Sequence, residues 1–171
     1  MKYLLIAFIG LLLNSTATLA LEKSSQEQSD KLHKLVQELV PYNLNQTLQT
    51  FTKTVHGGVL HVVAKSPSDT QQIKLIQANL LKMANEFKKG DYSNTERLHG
   101  ADMPGLVQLK KAEVDDIRFE YRTLPNGAQI HFSSEYPLYV DALHEWFDAQ
   151  ISDHGNAVLP EHSQHHSTPV E

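Results

Sequence analysis

Two pairs of short segments rich in β-branched and aromatic residues constrain the fold of this chain most strongly. Gly57 and Gly58 separate the first pair, and the run Pro125-Asn126-Gly127 separates the second. Strand-forming runs joined in this way predict β-hairpins, because glycine and asparagine adopt the backbone angles that tight turns need. The predicted strands are residues 48–55, 59–65, 117–122 and 128–134.

Amphipathic helix patterns precede, separate and follow the two hairpins. The first covers residues 30–40 and ends before Pro41, since a proline disfavours helical geometry in the residue before it. The second follows the capping residues 66–69, and the third begins at Pro137. The positions expected to face the core are Leu32, Leu35, Val36, Leu39, Val40, Ile73, Ile76, Leu80, Met83, Phe87, Leu138, Leu143, Trp146, Phe147 and Ile151.

The order of these elements, α-ββ-α-ββ-α, predicts an α+β fold. Its simplest form is a four-stranded, mainly antiparallel sheet made from the two hairpins, with the helices packed on one face. Residues 91–105 form a long connection that contains Gly100, Pro104 and Gly105. This composition predicts a specific ordered turn, and residues 106–112 predict a short helix after it.

The N-terminal segment has the features of a secretory signal. Residues 1–20 combine Lys2, an apolar run over residues 4–13 and a small-residue cleavage site at Ala20. The apolar run is about ten residues long, too short to span a bilayer, so an uncleaved anchor is the less favoured alternative. We therefore expect a periplasmic or secreted protein with a flexible leader at 21–29, one domain at 30–155 and a disordered tail at 156–171.

Composition excludes several classes of protein. The chain has no cysteine, which rules out a lipid anchor, disulfides and thiolate metal sites. Its net charge is −5 without a basic cluster, so we expect neither a nucleic-acid partner nor binding to anionic lipid. The motifs G-x-S-x-G, G-x-x-x-x-G-K-[ST] and G-x-G-x-x-G are also missing.

The ten histidines are the most unusual part of the composition. His99, His144 and His154 fall in or near the ordered turn and the last predicted helix, and we take them as candidate ligands for a metal or a small molecule. His144 and Asp148 share one helix face, so the carboxylate can orient the imidazole. Such donors suit copper, zinc or nickel. The candidate supporting residues are Asp102, Met103, Asp148 and Asp153, and the candidate auxiliary ligands in the tail are His162, His165 and His166.

Two other interpretations of these histidines remain open. A helical His–Asp pair is often a surface hydrogen bond, and His154 can simply favour a helix C-terminus. The spacing of His144, Asp148 and His154 also resembles a zincin helix, with Glu145 as the base. That resemblance is incomplete, because Asp148 replaces a histidine and Ile151 replaces the glycine that would turn the chain back.

Residues 98–106, 124–130 and 142–155 together resemble a family of small exported bacterial proteins that also carry a His-rich tail. Some members are labelled aspartate carbamoyltransferase. Transcarbamoylases, however, are longer two-domain enzymes with an S-T-R-T phosphate-binding segment, which this sequence lacks. The resemblance implies that the histidines and aspartates of these segments belong to motifs, and it assigns a role to none of them.

The sequence therefore predicts an exported α+β domain that binds a transition metal or a small ligand through histidines. The first alternative is a structural or interaction module of the cell envelope that needs no metal. The second is a His–Asp or zincin-like hydrolase, which would require a cleft in which His144 converges with Glu145 or Asp148.

Overall fold

The computed structural model describes residues 34–36 and 38–154 of the 171-residue chain. The chain divides into two compact units, Met1–Glu38 and Leu39–Glu171. In the first unit, the described residues 34–36 and 38 are helical, within the helix that the sequence predicts. The predicted signal, leader and tail, with their boundaries at residues 20, 29 and 155, lie outside the described residues. All the elements below belong to the second unit.

The second unit contains a four-stranded antiparallel sheet in the order β1-β2-β4-β3. Each hairpin contributes one outer and one inner strand, and the inner strands β2 and β4 pair with Leu60 opposite Ile130. This arrangement confirms the predicted α+β fold with a sheet built from two hairpins. The strands are β1 (Thr47–Thr54), β2 (Gly57–Ala64), β3 (Arg118–Leu124) and β4 (Gly127–Ser133).

Helices follow both hairpins, and two of them are short. A 3-10 turn at Leu44–Gln46 precedes β1. Asp69 begins α1 by accepting a hydrogen bond from the backbone N–H of Gln72 at 3.0 Å, as its capping position predicts. The helices are α1 (Thr70–Phe87), α2 (Ser93–His99), α3 (Leu106–Leu109) and α4 (Pro137–His154).

Helix α2 lies in the connection that the sequence predicts as an ordered turn without a helix. Its seven residues are too few to show a periodic apolar pattern. The local signal is Asp91, whose Oδ1 accepts a hydrogen bond from the backbone N–H of Ser93 at 3.0 Å. That hydrogen bond satisfies one of the donors that a helix start leaves unpaired.

The core lies between the helices and one face of the sheet. Phe51, Leu60 and Ile130 occupy adjacent positions across β1, β2 and β4, and all three are buried. Helix α1 follows the first hairpin but packs mainly on β3 and β4 of the second, whereas α4 follows the second hairpin and packs on β1 and β2 of the first. We call this arrangement the crossed packing.

The first hairpin turns one step earlier than the glycines predict. Val55 and His56 form the turn, and Gly57 and Gly58 lie inside β2. A Cβ on Gly58 would lie 2.6 Å from the ring of Phe147, and one on Gly57 would lie 2.3 Å from the carbonyl oxygen of Phe132. Both glycines are therefore needed for close packing on β2 rather than for the turn itself.

Helix α4 buries most of its predicted apolar face. Leu143, Trp146 and Phe147 are at most 3% exposed. Leu138, which the helix pattern also assigns to the core, is instead 57% exposed at the start of the helix. The periodicity therefore fails in the first turn of α4, where the chain arrives from β4. Among the described residues, no helix has both the length and the apolar character needed to span a bilayer.

Candidate functional site

A groove of about 690 Å³ lies between the loop after α2 and the outer face of α4. Residues 99–104 form one wall, and residues of the third to last turns of α4 form the other. This volume falls in the range of small-molecule sites, roughly 300 to 1,000 Å³. The lining residues are His99, Gly100, Asp102, Met103, Pro104, Glu145, Asp148, Ala149, Ser152 and Asp153.

Gly105 fixes the position of the loop against α4. Its φ of 76° lies in the left-handed region, and a Cβ there would lie 2.1 Å from the carbonyl oxygen of Ala142. Leu106 and Leu109 of α3 follow and are buried in the core. Only glycine allows this close approach, so the loop that follows His99 lies directly against the backbone of α4.

Hydrogen bonds and an aromatic contact fix the start of α2. Hydrogen bonds to the side chain and the backbone N–H of Ser93 hold the pKa of Asp91 below its usual value. Tyr92 packs against Phe87 with 4.9 Å between ring centroids, and its burial raises the pKa of the phenol. These contacts hold the beginning of the short helix that ends at His99.

His99 and Asp153 form the closest polar contact between the two walls. The Nδ1 atom of His99 lies 2.7 Å from Oδ2 of Asp153. The imidazole is only 8% exposed, whereas the carboxylate is 49% exposed. A carboxylate accepts the proton of Nδ1–H, which places the lone pair of a neutral imidazole on Nε2. The pair therefore fixes the orientation of His99 at the groove.

Asp148 lies in the same groove but pairs with a cation from the sheet. Lys53 of β1 places its ammonium 2.6 Å and 2.9 Å from the two carboxylate oxygens of Asp148. Both side chains are exposed, so solvent screens the attraction and the pair contributes little to stability. Its main effect is to place one positive charge at the edge of the groove.

His144 has a different partner and does not line the groove. Its Nε2 lies 2.8 Å from the carbonyl oxygen of Thr54, so the ring N–H donates to the end of β1. The sequence suggests that Asp148 orients His144 one helical turn away. In the structure the two side chains have separate partners, Lys53 and Thr54, and His144 joins α4 to β1.

The groove has an acidic lining. Asp102, Glu145, Asp148 and Asp153 contribute four carboxylates, and the described part of the chain supplies no lysine or arginine to the lining. Met103 is buried beneath them, with its sulfur 4.0 Å from the amide nitrogen of Gln150. The groove thus combines a partly apolar base with negatively charged edges.

The structure brings together five of the ten site residues that the sequence predicts. His99, Asp102, Met103, Asp148 and Asp153 all line the groove. His144 lies apart from them. The side chain of His154 and the tail residues His162, His165 and His166 lie outside the described residues.

Two residues of this region are missing from the predicted binding set. The sequence names Glu145 only as the base of the zincin-like alternative, and the structure places it in the groove lining, one turn before Asp148 and Ala149 on α4. Lys53 is 95 residues from its partner Asp148, and no pattern in the neighbouring sequence predicts that contact.

These donors do not form a preassembled metal site. Among the described residues, no group of three or more histidine, aspartate or glutamate side chains is close enough to hold one metal ion. Two histidine or carboxylate donors can still come from the His99–Asp153 region, and further ligands would then have to come from elsewhere.

Comparison with known proteins gave no match to a protein-family model, to a curated protein or to a solved structure.

Proposed function

We propose that the protein binds a small, positively charged ligand in the acidic groove. The observation that carries this proposal is the convergence of four carboxylates from two separate segments on one cavity of ligand size. Two of these carboxylates, Asp148 and Asp153, already contact Lys53 and His99, and all four attract a cation that enters the groove. The groove is therefore electrostatically complementary to an amine, a guanidinium or a quaternary ammonium group.

The dimensions and the lining favour an organic cation. Met103, Pro104 and Ala149 give the groove apolar contact area, which a bare ion cannot use. His99, held by Asp153, supplies a directed polar group beside this surface. We expect the ligand to carry an apolar portion over Met103 and a charged end between Glu145 and Asp102.

A transition metal is the second candidate, and the His99–Asp153 pair is the observation that favours it. A carboxylate bound to one imidazole nitrogen is the usual support of a histidine that ligates metal through the other nitrogen. Copper, zinc or nickel would need ligands beyond this pair. The C-terminal part of the chain offers His154, which directly follows Asp153, and the tail residues His162, His165 and His166.

We expect the protein to act outside the cytoplasm. The support is the signal-like order of residues 1–20, with its positive start, short apolar run and small-residue cleavage site. The absence of cysteine is consistent with a soluble exported domain that is stabilised by its core alone. A periplasmic or secreted binder of a cationic solute fits both features.

Calorimetric titration with putrescine, and with the diol of the same chain length, tests the proposal. The diamine should bind and the uncharged diol should not. Asp102→Asn and Glu145→Gln should each weaken binding about threefold to tenfold, because each removes one carboxylate from the groove. Lys53→Gln should strengthen it, because it removes the nearby cation.

Glu113→Gln is the matched control, since it removes a carboxylate from an exposed loop that does not line the groove. Parallel titrations with copper, zinc and nickel separate the two candidates. Tight, stoichiometric metal binding that is lost in His99→Ala would favour the metal. If neither the diamine nor a metal binds, or if Lys53→Gln leaves affinity unchanged, the groove is not a cation site, and the alternative of an envelope interaction module gains weight.

A further inference from the structure

Four large apolar side chains are exposed around one end of the sheet. Val55 is 84% exposed, Val114 81%, Tyr136 54% and Leu138 57%. The described residues contain only three other exposed side chains of this kind. Single exposed apolar residues are ordinary, but a group at one end of a molecule marks a contact surface. We call these four residues the turn-end surface.

Ser134, which is only 4% exposed, holds three segments of this surface together. Its backbone N–H donates to the carbonyl oxygen of His56 at 2.9 Å, next to Val55. Its hydroxyl donates to the carbonyl oxygen of Asp116 at 2.6 Å, in the loop that carries Val114. The same hydroxyl oxygen accepts from the backbone N–H of Tyr136 at 3.1 Å. One buried serine therefore fixes the relative positions of all three segments.

Folding does not account for the apolar character of these positions. Tight turns favour glycine, asparagine, aspartate and serine, whereas Val55 and Val114 place β-branched side chains in solvent. The loop of Val114 is nonetheless well ordered by its own contacts. Glu113 donates its N–H to Asp116 Oδ2 at 2.8 Å, and Asp115 adopts a left-handed φ of 75°. Hydrogen bonds thus hold the backbone that carries Val114, although its side chain is not buried.

Negative charge predominates around the turn-end surface, although Arg118 at the start of β3 and Lys53 near the end of β1 are exposed at the same end of the sheet. Glu113 and Asp115 flank Val114, Glu135 precedes Tyr136, and Asp141 lies one helical turn after Leu138; all four are exposed. Such an edge disfavours a second copy of the same surface, because like charges would face each other. It also disfavours an anionic lipid surface.

We propose that the turn-end surface docks a partner protein through a segment that presents apolar side chains flanked by lysine or arginine. The apolar residues of that segment would cover Val55, Val114 and Tyr136, and its cations would pair with the acidic edge. Exposed tyrosine held by a rigid scaffold is a common centre of such contacts. This surface is distinct from the groove, since none of its four residues lines the groove; Glu145, the first groove residue of α4, lies about 10 Å along the helix from Leu138.

Selection of short random peptides displayed on phage against the purified protein tests the proposal. The selected peptides should combine apolar residues with lysine or arginine. As synthetic peptides, they should bind at least about tenfold more weakly to the triple variant Val55→Ser, Val114→Ser, Tyr136→Ser. Leu81→Ser is the matched control, because Leu81 is an exposed apolar residue of α1 outside this surface.

The selection and two further measurements decide the question, and a selection that enriches no peptide overturns the proposal. Peptides that lack basic residues, or that bind the triple variant and the parent equally, overturn the proposal. Dimers in sedimentation that are lost in the triple variant would assign the surface to a second copy. Binding to phosphatidylcholine vesicles that is lost in the triple variant would assign it to a membrane. Circular dichroism of the triple variant shows whether a loss of binding reflects unfolding, and Val114→Ser alone then repeats the test with a minimal change.

Discussion

His99 and His144 show how the partner of an imidazole decides its role. His99 faces a carboxylate at the edge of a groove, and the contact orients a side chain that a ligand can reach. His144 donates to the backbone carbonyl of Thr54 and fastens a helix to a strand. The two residues look alike in the sequence, yet the first is suited to binding and the second to stability.

His144→Ala should therefore destabilise the fold without affecting the groove. We expect a loss of about 1 kcal/mol in the free energy of unfolding, which is typical of one hydrogen bond to a backbone acceptor. Urea denaturation measures this loss, and calorimetry should find the affinity for putrescine unchanged. His56→Ala, in an exposed turn, should leave both quantities at their original values. A large drop in ligand affinity in His144→Ala, with normal stability, would contradict this assignment.

For His144 and Asp148 the sequence predicts that they share a helix face, but it does not predict what their side chains contact. The four-residue spacing of His144 and Asp148 correctly places both on α4. Their partners, Thr54 and Lys53, come from β1, and they lie 90 and 95 residues earlier. The hydrophobic pattern does not encode such contacts, because it records burial and not the pairing of individual polar groups.

The shape of the groove depends on how closely the loop before α3 approaches α4. The loop before α3 rests on α4 because Gly105 has no side chain, and a Cβ there would also lie 2.8 Å from the backbone nitrogen of Trp146. Gly100 begins the same loop with a similar φ of 88°, but nothing lies within 4 Å of its Cβ position. Substitution of Gly100 would therefore measure the cost of backbone strain alone, whereas substitution of Gly105 would measure backbone strain together with steric overlap.

Gly105→Ala should cost more than about 3 kcal/mol of unfolding free energy, because left-handed strain and overlap with α4 add together. Gly100→Ala should cost about 1 to 3 kcal/mol, because only the strain of its φ of 88° and ψ of 159° applies. Thermal or urea denaturation of both variants gives the difference. Equal losses would mean that the loop can move away from α4 without penalty. In that case the groove would not be a fixed feature of the fold.

The sequence predicts elements well where they are long and periodic. Both hairpins, α1 and α4 are confirmed, since their alternating or helical patterns reflect one buried face. Sequence-based prediction of turns and buried positions fails where contacts with residues far away in the sequence decide the structure. Gly57 and Gly58 resemble a turn but serve the packing of Phe132 and Phe147. Leu138 fits a buried stripe, but it lies beyond the part of α4 that packs on the sheet.

The stability of the whole molecule depends on buried groups that must stay uncharged. Tyr42 is 7% exposed and its burial raises the pKa of the phenol to about 12, an effect that a hydrogen bond with Asn79 partly offsets. Burial favours the neutral phenol in the folded state. The resulting stability is fully present below the usual pKa of tyrosine, near 10, and is lost as the pH rises toward the folded value.

We therefore expect the free energy of unfolding to fall by about 2 to 3 kcal/mol between pH 10 and pH 12 because of Tyr42. Urea denaturation across this range measures the slope. Tyr42→Phe removes the ionisable group and should show a shallower decline, with a remainder from Tyr92, whose pKa is also raised by burial. An identical slope in Tyr42→Phe would show that Tyr42 ionises without unfolding the protein.

The crossed packing has a consequence for the order in which the chain can fold during its synthesis. The first hairpin and α1 are made early, but each must wait for a partner from the second half: α1 for β3 and β4, and the first hairpin for α4. When the ribosome has released only the first half, α1 can contact β2, but most of the apolar face of α1 and of the first hairpin has no partner yet. We therefore expect much of the core to form only after the last helix has been made.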